Sequence, residues 1–322
     1  MFNFINYVRV LATVLITNSH FSDIWPIKAL AAGGLLGNIL FFAVSGFCLY
    51  LVKDNFFKWI LKRVIRIYPA LIIVTLVTVL LGFYSLKSWK GAVYLFIYPT
   101  NYVFIVWLML LYIPFYFLAF LDKKHTKLLE KVLIGVVVAW VIVYLLFIDK
   151  SAYVIDDVEK PFITFLYFAS MLTGALFRKH YDKFTNFKVK NAVFLPLSAV
   201  VYFVSKFAFS RWEVIAPLQI LNQFGILIVL YFIFTLLISL ESKLAKVPNK
   251  INGLVKYVGG LTLQIYLVQF VIIKSFKGLI FPLNLAVVVV LILAFASLVY
   301  FIEYAVRKFI TAYKTNKKVK ND

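Results

Sequence analysis

Arg9, His20, Arg63 and Arg66 are the side chains of this sequence whose type and spacing best suit chemistry. Arg9 and His20 stand eleven residues apart in an otherwise apolar run. On an α-helix, eleven steps of about 100° make three turns plus roughly 20°, so both side chains share a face, roughly 16 Å apart along the axis. An ionisable group in such a run costs a few kcal/mol in lipid and persists mainly where it has a task or a partner. An imidazole, with an unperturbed pKa of about 6.5, exchanges a proton near neutrality. Arg63 and Arg66 lie one helical turn apart, and two guanidinium forks on one side suit a multiply charged phosphate ligand. The chain has 28 lysines but only 6 arginines, so generic charge is supplied by lysine and arginine at these positions points to its geometry. Each feature also has a plainer account. Arg9 is near enough to one end of its run to snorkel, His20 can be an unrelated interfacial residue, and Arg63 with Arg66 can be flanking charge or lipid-headgroup contacts. Glu303, with Arg307 four residues on, is accounted for by an interfacial i,i+4 pair. Asp23 is a candidate to orient His20 or a simple loop residue, and His125 and His180 fall among lysines, where solvated faces are expected. No metal site is expected, since no histidine or carboxylate cluster has ligand spacing, and no Gly-rich phosphate loop is present.

The elements that must position these residues follow from composition. Of 322 residues 64% are hydrophobic, 19% aromatic and 15% charged, with a mean hydropathy of +0.96. That excludes most soluble enzyme classes and implies an all-α polytopic integral membrane protein. Bilayer-length apolar runs occur at 4–21, 34–52, 69–84, 102–121, 131–148, 161–177, 191–209, 217–239, 256–273 and 284–306, about ten transmembrane helices. A short apolar piece at 92–97 reads as interfacial. The stretches 53–66, 122–131, 178–190, 241–256 and the tail from 307 hold 24 of the 34 basic residues, and they alternate with poorly basic loops. By the positive-inside rule both termini are cytoplasmic. The net charge of +21 is then explained by inside loops and anionic lipid, so nucleic acid is not an expected partner. Cys48, the single cysteine, cannot form an intramolecular disulfide. A small-residue stretch at 29–31 could pass for a cleavage site, but no lysine or arginine precedes Arg9, so the first run is expected to be retained. The expected organisation is one membrane domain over 1–322, with a basic cytoplasmic tail at about 307–322 and no appended extracytoplasmic domain.

Several separated signatures, in order, resemble the membrane acyltransferase family 3, bacterial proteins that acylate surface carbohydrates. Arg9 and His20 match its Arg-x10-His motif. Phe41-Phe42-Ala43-Val44-Ser45-Gly46-Phe47 matches an aromatic Ser-Gly-Phe segment, and Arg63 with Arg66, followed by Tyr68-Pro69, matches Arg-x-x-Arg. Trp107, Tyr112 and Pro114 fit a further pattern, and Gly259, Thr262, Ile265, Tyr266 and Leu267 fit part of a late one. Two positions depart from it, Gln269 where the family often has histidine and Thr262 where it often has serine.

The resemblance implies an O-acyltransferase of the bacterial plasma membrane, in stand-alone form, with no bound cofactor. Acyl-CoA, with acetyl as the expected group, would be its co-substrate. His20 would be the general base on a sugar hydroxyl, with Arg9 guiding the donor arm; transient acylation of His20 is a variant. Arg63, Arg66, Ser45 and Tyr68 would hold or pass the donor, and Phe47, Trp107, Tyr112, Tyr266 and Gln269 would line the substrate path. For Ser45 and Gly46 helix packing is the competing account. Expected partners are membrane lipids, a surface glycan or lipid-linked saccharide, and polysaccharide biosynthesis machinery making capsule or exopolysaccharide. The alternative is a transporter or flippase exporting such a glycan. That reading asks for repeated halves or broken helices at matching positions, and the sequence has no such symmetry.

Overall fold

The computed structural model describes residues 2–276 and 278–319, apart from the side chains of 307 and 309–319. In lipid a chain must satisfy its backbone polar groups internally, so apolar runs of this length fold as helices. The described residues form α1 (Asn3–Ser19), α2 (Gly34–Leu49), α3 (Phe56–Leu80), α4 (Trp89–Phe96), α5 (Val103–Asp122), α6 (Leu128–Phe147) and α7 (Ile163–Lys179). They continue with α8 (Val189–Arg211), α9 (Ile220–Ser239), α10 (Glu241–Leu244), α11 (Asn249–Gly260), α12 (Thr262–Phe276) and α13 (Leu283–Val319). Short 3-10 turns join them, and no strand is present among the described residues.

Nine of the ten long apolar runs each overlap one of these long helices, and the run 256–273 is divided between α11 and α12, which are bent by 66° at the break. Seven segments among the described residues are long and apolar enough to cross a membrane, and α11 with α12 passes the same test only as one broken span. Helices α1 and α7, of 17 residues each, and α12, of 15, are shorter. The protein is thus an all-helical, multi-pass membrane protein. Helix α3 begins at Phe56 rather than near 69, so the basic stretch expected as a loop is its first turns. Lysine and arginine are good helix formers, and hydropathy alone marks them as the end of a span. The short apolar piece is α4, capped by Ser88, whose Oγ accepts from the Gly91 N–H at 3.1 Å. Helix α13 runs through Val319, over most of the stretch expected as a tail.

The chain divides into two compact units. The first comprises residues up to Ile16, Gly33–Ile60 and Val103–Gly259; the second comprises Thr17–Ala32, Leu61–Tyr102 and the chain from Gly260 onward.

Within the first unit α2 and α7 touch backbone to backbone. A Cβ on Gly46 would fall 1.8 Å from the Met171 carbonyl oxygen, and one on Gly174 would fall 1.9 Å from that of Ala43. Small residues permit this approach, and dispersion and close packing then hold the pair where lipid gives no hydrophobic drive. Gly46 is therefore a packing residue. Two polar clusters lie in the same unit. Buried Asp122 accepts from the Tyr50 hydroxyl at 2.8 Å and pairs with Lys179 at 3.0 Å, while Glu130 contacts Lys179 and His180 at 3.0 Å each. His180 is thus held by a carboxylate and is not the solvated loop residue expected from its lysine neighbours. In the other cluster fully buried Gln219 accepts from the Val154 and Ile155 N–H groups, and Gln223 donates to Asp156 at 2.9 Å. Lys206, inside α8, pairs with Asp156 at 2.5 Å, so its charge belongs to this cluster and not to a loop.

Candidate active site

Helix α1 ends at Ser19, and His20 takes the first position of the turn beyond it, its N–H donating to the Thr17 carbonyl at 3.1 Å. The helix expected to carry both Arg9 and His20 therefore stops one residue before the imidazole, where an i to i+3 bond tightens its last turn. The His20 side chain is exposed.

Polar side chains of the second unit fix this turn. The Thr17 hydroxyl donates to Gln269 Oε1 at 2.7 Å, and Gln269, on α12, is 1% exposed. Asn18 donates to the carbonyls of Leu30 and Ala32 at 2.7 and 3.0 Å and accepts from the Trp25 indole N–H at 2.9 Å. Asn284, at the start of α13, donates to the Ile24 carbonyl at 3.1 Å. The segment 20–32 is thereby tied at both ends and along its length. Asp23 lies exposed in the turn after His20.

On α12, Tyr266 is half-buried, one turn before Gln269, with its ring 6.0 Å from that of Tyr102. The Tyr102 hydroxyl donates to the Leu267 carbonyl at 3.2 Å, which fixes this part of α12. One turn earlier Gln264 donates to Glu303 of α13 at 2.9 Å. Glu303 is 5% exposed, so it is an interior carboxylate bonded across two helices and not an interfacial one. The Arg307 side chain lies outside the described residues.

Arg63 and Arg66 occupy consecutive turns of α3 in the second unit, Arg63 half-buried and Arg66 exposed. Tyr68 donates its hydroxyl to the Ile97 carbonyl at 2.8 Å, tying α3 to the end of α4. Pro69 follows inside the helix, where it contributes no N–H to the ladder.

The remaining candidates belong to the first unit. Arg9 is half-buried on α1, and its carbonyl accepts from the Thr13 hydroxyl at 2.8 Å. Ser45 is half-buried on α2. Phe47 is buried edge-on against Phe2 and Phe4, with ring centroids 5.3 and 5.1 Å away and the Arg178 guanidinium 5.4 Å from its ring. The Trp107 indole N–H donates to the Val158 carbonyl at 3.0 Å, and Tyr112 is buried with its ring 5.7 Å from Trp59.

The structure thus gathers Gln269 and Tyr266 on the helix that anchors the His20 turn, and it sets Arg63, Arg66 and Tyr68 on α3. It gives Phe47, Trp107 and Tyr112 packing partners of their own. Sequence reasoning missed Thr17, Asn18, Trp25 and Asn284; for Thr17 and Asn18 the signal was polar side chains at the edge of the run that ends in His20, and for Asn284 a polar residue at the start of the last run. Among the described residues no group of three His, Cys, Asp or Glu side chains is placed to hold a metal ion.

No curated protein and no solved structure matches the chain. The acyltransferase-domain model of acyltransferase family 3 matches residues 2–303, which takes in the turn around His20, the α3 arginines and the Gln264–Glu303 bond, and the chain belongs to that family.

Proposed function

We propose that the protein is a transmembrane O-acyltransferase of the bacterial plasma membrane, with about ten crossings and both termini cytoplasmic. It moves an acyl group, acetyl in the first instance, from cytoplasmic acyl-CoA to a hydroxyl of a surface polysaccharide or its lipid-linked precursor. The observation that carries this reading is an exposed imidazole on a turn held by the Thr17–Gln269 bond. Membership of the family supports acyl transfer as the reaction class.

Arg63 and Arg66 bind the CoA phosphates on the cytoplasmic side, and Tyr68 and Ser45 flank the donor. Arg9 guides the pantetheine arm. At the far end His20 takes the proton of the acceptor hydroxyl while that oxygen bonds to the thioester carbonyl carbon. The carbon–sulfur bond then breaks, and the proton passes from the imidazolium to the departing CoA sulfur. The imidazole ends neutral, ready for another turnover. Tyr266 and Gln269 border the acceptor, with Trp107, Tyr112 and Phe47 shaping the path through their packing.

Mass analysis of the surface polysaccharide with and without the gene tests this reading. Loss of acetyl or succinyl esters from a normally exported polymer supports it. Unchanged esters, or polymer trapped inside the cell, overturn it.

A further inference from the structure

The first unit contains a cavity of about 200 Å³ that the residues discussed so far do not use. Its walls are one face of α1, with Asn6 and Tyr7, and one face of α11, with Asn249, Asn252, Gly253 and Lys256. Those α11 positions are spaced i, i+3, i+4 and i+7, so a single helical stripe lines the cavity. The helices meet closely at one end, where a Cβ on Gly259 would lie 3.2 Å from the Asn6 carbonyl oxygen.

The polar groups divide into wall and bait. Asn252 is committed to the wall, accepting from the Tyr7 hydroxyl at 2.9 Å and donating to the carbonyls of Leu244 and Val247 at 2.9 and 3.0 Å. Asn6 is different. It is 7% exposed and lines the cavity, and its side-chain amide is open to whatever the cavity holds. An amide so placed can pair with a ligand that presents a matching donor and acceptor. Asn249 and Lys256 are exposed and add a second amide and one cation.

We propose that this cavity receives the adenine of the acyl-CoA donor, an inference that rests on the donor assigned above. An asparagine amide offers a donor and an acceptor side by side, the complement of the adenine amino group and its neighbouring ring nitrogen. A bare phosphate asks for several cations or backbone N–H groups; here neutral amides dominate and Lys256 is the single cation among the lining residues. Size agrees. A cavity of about 150 Å³ holds benzene and drug-sized ligands need about 300 Å³ or more, so this one takes a base while the rest of the donor stays outside. The basic stretch 241–256 is on the cytoplasmic side in the proposed topology, the side on which acyl-CoA is made.

Two full-length variants test the proposal in proteoliposomes. Asn6→Leu removes the amide at similar volume. Gly253→Leu adds a side chain at a lining position where a Cβ meets no atom within 4 Å, so the cavity fills with no backbone clash. KM is measured for acetyl-CoA and for acetyl-phosphopantetheine, which lacks the adenosine, and binding of adenosine 3′,5′-bisphosphate is measured by calorimetry. Both variants should raise KM for acetyl-CoA at least about tenfold, leave that for acetyl-phosphopantetheine unchanged and lose the nucleotide. An unchanged KM for acetyl-CoA, or an equal rise for both donors, overturns the proposal and leaves the acyltransferase reading intact. A wild-type protein that transfers from neither donor overturns that reading itself, and nucleotide binding that survives in both variants overturns the cavity assignment independently.

Discussion

Replacing Gln269 with leucine removes the acceptor of the Thr17 hydroxyl, a 2.7 Å bond made where Gln269 is 1% exposed and Thr17 stands three residues before His20. The hydroxyl is then left in an apolar surrounding, at a cost of about 1–3 kcal/mol. The last turn of α1 moves to relieve that cost, and it carries the imidazole. If the whole cost appears in the transition state, where each 1.36 kcal/mol is about tenfold, the rate of acyl transfer falls by roughly 5- to 160-fold. A displacement of about 1 Å at the reacting group gives a loss of the same order. The assay is initial-rate transfer from labelled acetyl-CoA to glycan in membranes adjusted to equal protein. Thr17→Val removes the same bond from the other side, so the double variant should be little worse than either single one. Gln269→His, which restores the residue common in the family, should recover most of the rate. Full activity of Gln269→Leu, or additive losses in the double variant, would refute the idea that this bond positions His20.

Three further outcomes follow from the geometry. Gly174→Ala and Gly46→Ala force α2 and α7 apart, because the new methyl meets backbone oxygen at 1.9 or 1.8 Å; each should cost about 1–3 kcal/mol and lower the melting temperature in detergent by several degrees. Gly135→Ala on α6, where a Cβ meets nothing within 4 Å, should leave it unchanged or raise it. Arg63→Ala combined with Arg66→Ala should raise KM for acetyl-CoA by at least about tenfold, measured beside a lysine pair that keeps the charge but loses the forks.

Much of this molecule was legible in the sequence because a bilayer leaves few choices: an apolar run long enough to cross must be helical, and every such run is, although 256–273 is broken into α11 and α12. Boundaries failed where the signal was charge. Residues 56–66 look like a loop to a hydropathy count, yet they extend α3 downward and place Arg63 and Arg66 on a helix. Lys206 looks like flanking charge, yet it is inside α8 and paired with Asp156. Glu303 had an adequate local partner at i+4, and nothing local reveals that Gln264 takes it inside. The same blindness hid the support of His20. Thr17 and Gln269 are 252 residues apart, and neither is unusual in its own helix. Arg9, His20 and the Arg63–Arg66 pair were visible since charge in an apolar run is costly; the neutral amides around them were not, since asparagine and glutamine raise little alarm near a span end. The cavity between α1 and α11 was hidden for that reason too.

The central claim is tested most directly by reconstituting wild-type and His20→Ala proteins in sealed vesicles with labelled acetyl-CoA on the cytoplasmic face and a glycan acceptor on the other. The wild type should ester-label the acceptor across the bilayer, and His20→Ala, inserted at the same level and melting at the same temperature, should lose at least about a hundredfold in rate. Transfer by His20→Ala at the wild-type rate would contradict the account.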